Sequence, residues 1–330
     1  MKRRQFLKSA AGVGAGLVAA TAVAERTNAA AQEAKKGKPK RGVSVYSYSQ
    51  VLGVCMTLED CFADIYDMGA TCFEMLSSHI EGYPNPTTQW IDRYFALCTK
   101  YNLQPAEMGH WCETHLHRGP MMTDEQIIAN MVRDFKLANL LGFKSLRTKI
   151  TCINQECDPE AGWERYMEKL LPLAEKYDVQ MLSECHRPTL LTRQHITDYL
   201  AFAEKHKTKY FGINVDFGTF MHSSVPREQI ASGAAQVTLT PLPEGSYSKP
   251  EDIIRVLAVN PRTFHAKFNY MDENYEEKTI PYKQILQILI DHGWSGNLVS
   301  EYEGPRRNET GYLGDQLRRQ QIMMQRMLGY

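Results

Sequence analysis

The chain has no long hydrophobic run, no surplus of charge of either sign and no paired-cysteine motif. Its main apolar stretch near the start, Ala10 to Ala24, is 15 residues of mostly Ala, Gly and Val. A membrane-spanning helix needs about 20 strongly apolar residues, so a stable span is excluded there. Lys plus Arg and Asp plus Glu each number 38, a balance that argues against nucleic acid as a partner. The eight cysteines, at 55, 61, 72, 98, 112, 152, 157 and 185, form no CxxC. That excludes a small disulfide framework and leaves most of them as thiols of a large core. Cys152 and Cys157 are spaced to bridge in an oxidising compartment. No Gly-x-Gly-x-x-Gly turn follows the first apolar run, which removes the signal for a dinucleotide site.

What is present begins with a targeting pattern. Met1 to Lys8 carries the Arg3-Arg4 pair followed by Phe6 and Leu7. The acid-free apolar stretch then closes on Ala22-Val23-Ala24. This reads as a twin-arginine signal peptide over residues 1–24, with export to a periplasmic or extracellular location and no membrane anchor after cleavage. Removing it takes away Lys2, Arg3, Arg4 and Lys8, leaving 34 basic against 38 acidic residues, a net −4. Residues 25–40 are Ala, Gln and Lys without apolar periodicity and read as a flexible linker. Residues 41–330 suit one large domain.

Within that domain β-type apolar runs alternate with helical patterns. The expected strands are Gly42–Ser47, Thr71–Leu76, Gln104–Gly109, Ser145–Lys149, Val179–Cys185, Gly212–Phe217, Thr263–Phe268 and Asn297–Tyr302. Caps or first-turn acids at Thr57, Thr123 and Asp158 open helices, and Gly69, Gly142 and Gly293 end them. Strict alternation implies parallel strands with helical crossovers, and eight units close into an α/β (β/α)8 TIM barrel with its site at the C-terminal strand ends. The long connection from Thr219 to Lys249 is a candidate lid.

Four consecutive strands end on metal-binding chemistry. Glu184 ends the fifth, Asp216 the sixth, Glu301 the eighth, and His265 lies on the seventh. A carboxylate at a strand end is commonly a cap or an ion-pair partner, and one His on a strand is commonly structural. All four at equivalent places point to one divalent metal ion, Mn first, with Mg, Co or Zn as alternatives. Lys267, two residues beyond His265, shares its side of the strand and suits a role at developing oxyanion charge. Arg147, Lys149, His110, His186 and Glu74 also sit at strand ends, as candidates for substrate binding. His115, His117 and Trp111 follow His110 in the loop.

These motifs resemble the xylose-isomerase-like barrels, the sugar phosphate isomerases and epimerases. The likeness runs from Arg41 to the C-terminus and rests on Glu184-x-His186, the Asp of Gly212-Ile213-Asn214-Val215-Asp216, His265-x-Lys267 and Glu301. It implies that Glu184, Asp216, His265 and Glu301 bind one metal and that Glu184 and Glu301 act as acid and base. Such a site abstracts a proton next to a carbonyl through a metal-stabilised enediolate. The proton then returns, giving isomerisation or epimerisation, or a β-leaving group departs. Two features depart from the sugar-epimerase pattern. Thr219 stands where that pattern has a His three residues after the Asp, and the phosphate cradle is missing. Phe264-His265-Ala266-Lys267-Phe268 and Glu301-Tyr302-Glu303-Gly304 are also similar to the catalytic subunits of C-glycoside deglycosidases, which eliminate an aglycone from 3-keto-glycosides. The implied partner is a small carbohydrate or keto-glycoside, with a second copy of the chain or an accessory subunit compatible. A silent sugar-binding barrel and a multi-zinc endonuclease are the readings from other classes.

Overall fold

The computed structural model describes residues 37–110, 122–148, 154, 157–233 and 237–330. The signal peptide and most of the linker lie outside them, as do Lys149, Trp111, His115, His117, Cys112 and Cys152.

Eight parallel strands form the body: β1 (Lys40–Ser44), β2 (Cys72–Leu76), β3 (Gln104–Gly109), β4 (Ser145–Thr148), β5 (Gln180–Cys185), β6 (Phe211–Val215), β7 (Thr263–Phe268) and β8 (Asn297–Tyr302). Their hydrogen-bonded order is β6-β5-β4-β3-β2-β1-β8-β7. The barrel closes between β6 and β7 through a single parallel bridge, Asp216 to His265. At that seam the His265 N–H donates to the Asn214 side chain Oδ1 at 3.1 Å in place of a strand ladder. The closure thus joins two of the residues expected to bind metal.

Three strands, β3, β7 and β8, have the expected bounds. The first ends early, because the Ser44 hydroxyl accepts from Tyr46 N at 3.2 Å and turns the chain into a 3-10 helix, Val45–Tyr48. Asp216 likewise leaves the sixth strand to cap the 3-10 helix Phe217–Phe220, its Oδ1 accepting Gly218 N at 2.7 Å.

Helix starts follow the caps with one exception. Thr57 and Thr123 make full capping boxes for Leu58–Asp67 and Asp124–Leu140. The helix expected at Asp158 begins at Glu164 instead. The Asp158 carboxylate is engaged by His195 Nδ1 and Arg193 Nη2, each at 2.8 Å, and so does not cap. Between Thr219 and Lys249 the chain forms a short helix, Arg227–Ala231, and an antiparallel pair of Ser223–Ser224 with Thr240–Pro241.

Side chains alternate across a strand, so positions two apart share a face. Phe73, Met75, Leu146, Phe264 and Leu298 point outward into the apolar layer under the helices. Inside, Cys72, Ala106 and Val299 form a separate small cluster, and Ser145 Oγ meets Thr263 Oγ1 across the barrel at 3.2 Å. Two residues further along, the same inward rows deliver Glu74, Arg147, His265 and Glu301. The barrel floor is therefore built of small, uncharged side chains, and the layer above it is charged.

Candidate active site

The charged layer opens into a cavity of about 920 Å³ whose lining includes Arg147, Glu184, Asp216, Lys267 and Glu301. Ligand atoms of Glu184, Asp216, His265 and Glu301 all lie within 4.8 Å of one another, and all four residues are buried. His265 Nδ1 is 2.8 Å from Glu301 Oε2, 3.4 Å from Glu184 Oε1 and 3.9 Å from Asp216 Oδ2. The 2.8 Å contact lacks hydrogen-bond alignment: among the described residues, His265 Nδ1, Glu301 Oε2 and Asp216 Oδ2 are buried polar atoms without a hydrogen bond. Such atoms are costly unless something satisfies them, and here they face one point.

Charge counting points the same way. Glu74, Glu107, Glu184, Asp216 and Glu301 are five buried carboxylates against two fixed cations, Arg147 and Lys267. Burial and the neighbouring Glu74 push the Glu107 carboxyl up, against His265 and Arg147. Burial and Glu301 push Asp216 up against Lys267. Burial disfavours a charge on His265, yet Glu74 and Glu301 outweigh it and hold the imidazole well above its ordinary value. With the imidazole neutral, as a metal ligand must be, a divalent cation offsets two of the three surplus negative charges, and mixed carboxylate and imidazole donors suit Mn, Mg, Co or Zn. The residues present fit such an ion.

A second set of contacts holds the first. His265 Nε2 lies 3.4 Å from both Glu74 Oε1 and Glu107 Oε1. Glu107 Oε1 accepts from Asn214 Nδ2 at 2.7 Å. The Arg147 guanidinium spans the layer, with Nε 3.0 Å from Glu74 Oε1 and Nη1 2.9 Å from Glu184 Oε2. Burial would raise Glu74, but Arg147 and His265 bring it down to about 2. Gly109 makes room for this arginine: a Cβ there would sit 2.9 Å from Arg147 Nη2. Glu74, expected at the pocket wall, is fully buried beneath it and meets Arg147 and His265 instead of solvent.

Lys267 Nζ lies 2.7 Å from Glu303 Oε2, 3.4 Å from Asp216 Oδ2 and 3.6 Å from Glu301 Oε1. Those carboxylates overcome the cost of burial and raise its pKa well above the usual lysine range, so it is a fixed cation at the cavity wall. Gly218 permits this approach, since a Cβ there would sit 2.7 Å from Asp216 Oδ1 and 3.4 Å from Lys267 Cγ.

His110 and His186 both line the cavity. His186 Nε2 is 3.8 Å from Cys157 Sγ. Thr219 is buried away from the cavity, its hydroxyl donating to Thr189 O at 2.7 Å, and His222 lies outside the lining. Met221 is the one described residue of the 219–249 connection that lines it.

Sequence reasoning missed Glu107, Asn214 and Glu303. Glu107 carried a signal, a lone acid between the apolar Ala106 and Met108 of its strand.

The xylose isomerase-like TIM barrel family model matches residues 62–322, and the chain belongs to that family. A 3'-dehydrocarminate deglycosidase alpha subunit from a Microbacterium species is 23% identical over 347 residues, covering 88% of this chain and 96% of the relative. A C-glycoside deglycosidase alpha subunit from Arthrobacter globiformis is 24% identical, covering 81% and 85%. Among solved structures, D-psicose 3-epimerase superposes with a TM-score of 0.58 at 12% identity, over 88% of this chain and all of that one (100%). IolI protein with a bound zinc atom superposes with a TM-score of 0.60 at 10% identity, over 88% and 98%. At those identities the structures speak to the fold alone.

Proposed function

We infer that this chain is a divalent-metal-dependent carbohydrate enzyme that removes a proton next to a carbonyl. The observation that carries the reading is the convergence of donor atoms from Glu184, Asp216, His265 and Glu301, within 4.8 Å of one another, at the floor of an open cavity. A divalent ion held there supplies Lewis acidity toward a substrate carbonyl. Glu184 and Glu301 come from different strands and both line the cavity, so one can take the proton as general base while the other serves as acid. Lys267, pinned by three carboxylates, steadies negative charge growing on a substrate oxygen.

Among the fates of the resulting carbanion, expulsion of a β-leaving group from a 3-keto-glycoside fits best. The cavity, about 920 Å³, lies near the top of the range of roughly 300–1,000 Å³ for sites that enclose drug-sized ligands, and both curated relatives are named deglycosidase alpha subunits. Return of the proton, giving isomerisation or epimerisation, is the second reading, favoured by the pair of carboxylates. The alpha-subunit names also support an accessory subunit as partner, and the Arg3-Arg4 leader supports export.

The test is incubation of metal-loaded protein in D2O with methyl 3-keto-β-D-glucoside and, separately, with free ketohexoses. Metal-dependent deuterium uptake next to the carbonyl with release of methanol is expected from the first. Uptake with conversion of a ketohexose supports the second reading, and the absence of both uptake and methanol release with every substrate contradicts both readings.

A further inference from the structure

Beside the charged layer, the cavity wall holds a second constellation. Ser77 follows β2 and His110 follows β3, whose last residues, Leu76 and Gly109, are paired in register. The two side chains therefore leave adjacent strand ends, and both line the cavity. Ser77 Oγ is 3.1 Å from His110 Nδ1. On the other side of the ring, His110 Nε2 is 3.4 Å from Asp134 Oδ2. Asp134 is fully buried in the helix Asp124–Leu140, and Oδ2 has no hydrogen bond among the described residues. Its other oxygen accepts from Tyr83 OH at 2.8 Å and from Arg133 Nε at 3.1 Å.

These contacts favour one placement of the protons. Tyr83 OH is also 3.2 Å from Nδ1, but its proton is committed to Asp134. Asp134, an acceptor only, selects the ring form with hydrogen on Nε2. In that form Nδ1 receives the Ser77 hydroxyl, which also lines the cavity. A buried carboxylate, an imidazole and an exposed-side hydroxyl in series make a proton relay, and such contacts commonly shorten once substrate is bound.

We propose that Ser77, His110 and Asp134 form this relay and protonate the leaving atom of the substrate, with Asp134 as a positioning residue. The inference rests on the elimination reading above. Starting from the imidazolium, the Nδ1 proton passes to Ser77 Oγ as the Ser77 hydroxyl proton passes to the leaving oxygen. The electron pair of the breaking C–O bond departs with that oxygen. The ring is left neutral with Nε2–H facing Asp134. Solvent water restores the imidazolium, and the proton taken from carbon returns to solvent, so no net proton is gained or lost.

The experiment uses full-length, metal-loaded protein and methyl 3-keto-β-D-glucoside in D2O. Deuterium uptake next to the carbonyl reports carbon deprotonation, and methanol release reports departure of the leaving group. Ser77→Ala, His110→Gln and Asp134→Asn are expected to slow methanol release about 10²-fold while uptake holds or rises, because the carbanion that no longer expels the leaving group returns to substrate. Ser77→Thr, which keeps the hydroxyl, is expected to restore release. Wild-type release rates in Ser77→Ala, or uptake and release falling together in all three variants, would overturn the relay. Absence of both uptake and methanol release in wild type instead removes the elimination reading. The relay geometry is then read independently from ring ¹⁵N shifts of His110, assigned by loss of signal in His110→Gln. Hydrogen on Nε2 in wild type, lost from that position in Asp134→Asn, supports the assignment, and a neutral ring with hydrogen on Nδ1 overturns it.

Discussion

Glu107 stands directly behind His265: its Oε1 is 3.4 Å from Nε2, on the side of the ring opposite the four-residue cluster. A carboxylate at that nitrogen favours the ring form with hydrogen on Nε2, which turns the Nδ1 lone pair toward the cluster. Outer carboxylates of this kind fix the tautomer and orientation of a metal-binding His. Glu107→Gln is accordingly expected to weaken divalent-metal binding by about 10- to 100-fold. Titration of metal-free protein with Mn²⁺ measures it, and unchanged affinity would show that Glu107 only fills space.

Arg147 is the internal counter-ion of the layer, bonded to both Glu74 and Glu184. Removing one partner of a buried ion pair leaves the others uncompensated and costs about 3–5 kcal/mol. Arg147→Met should lower stability by that order in urea unfolding of the metal-free protein. Saturating divalent metal should recover part of the loss, because the ion offsets charge in the same layer. An equal loss with and without metal would separate Arg147 from the cluster.

Lys267 is expected to act on the reaction more than on the fold. Its ammonium is held by Asp216, Glu301 and Glu303 at the cavity wall. Lys267→Met should lower kcat by roughly 10²-fold, the scale of losing one preorganised donor, with metal content retained. Loss of metal in that variant would assign the lysine to site assembly instead.

The pH dependence of stability has a separable contribution from Glu277. Burial raises its carboxyl from 4.5 to about 7, against hydrogen bonds from Thr279 and Ile280. An acid with a raised folded-state pKa stabilises fully below the unfolded value and loses that contribution as pH rises through the folded one. The shift corresponds to about 3 kcal/mol lost between pH 4.5 and just above 7. Glu277→Gln keeps a neutral side chain at every pH, so the stability gap between variant and wild type should widen in favour of the variant across that window. Parallel stability profiles would contradict the assignment.

The sequence made β3, β7 and β8 legible to the residue, because apolar runs bounded by polar turns leave little freedom in where a buried strand starts and stops. It also brought Glu184, Asp216, His265 and Glu301 into view, since each is a charged or titratable residue against an apolar run and parallel strands place such positions at one mouth. The bounds of β1 and β6 were less legible, because single side chains, Ser44 and Asp216, bend the backbone by capping the short 3-10 helices after them. Glu107 escaped because it sits inside its strand, and sequence spacing does not reveal that β3 places it behind His265. Asp134 lies on the buried face of its helix, between Met131 and Phe135 on one side and Ala138 on the other. A lone acid on an apolar helical stripe is the pattern that marks it. Glu74 was seen, but its depth depends on Arg147 covering it, a contact between strands that no local pattern encodes.

The central claim is that the four-residue cluster is built for one divalent ion. Elemental analysis of purified, metal-loaded protein tests this most directly, beside Glu184→Gln and His265→Ala. The account predicts close to one equivalent of Mn, Mg, Co or Zn per wild-type chain and a large loss in both folded variants. A wild-type chain that stays metal-free after loading, or variants that hold as much metal as wild type, would contradict it.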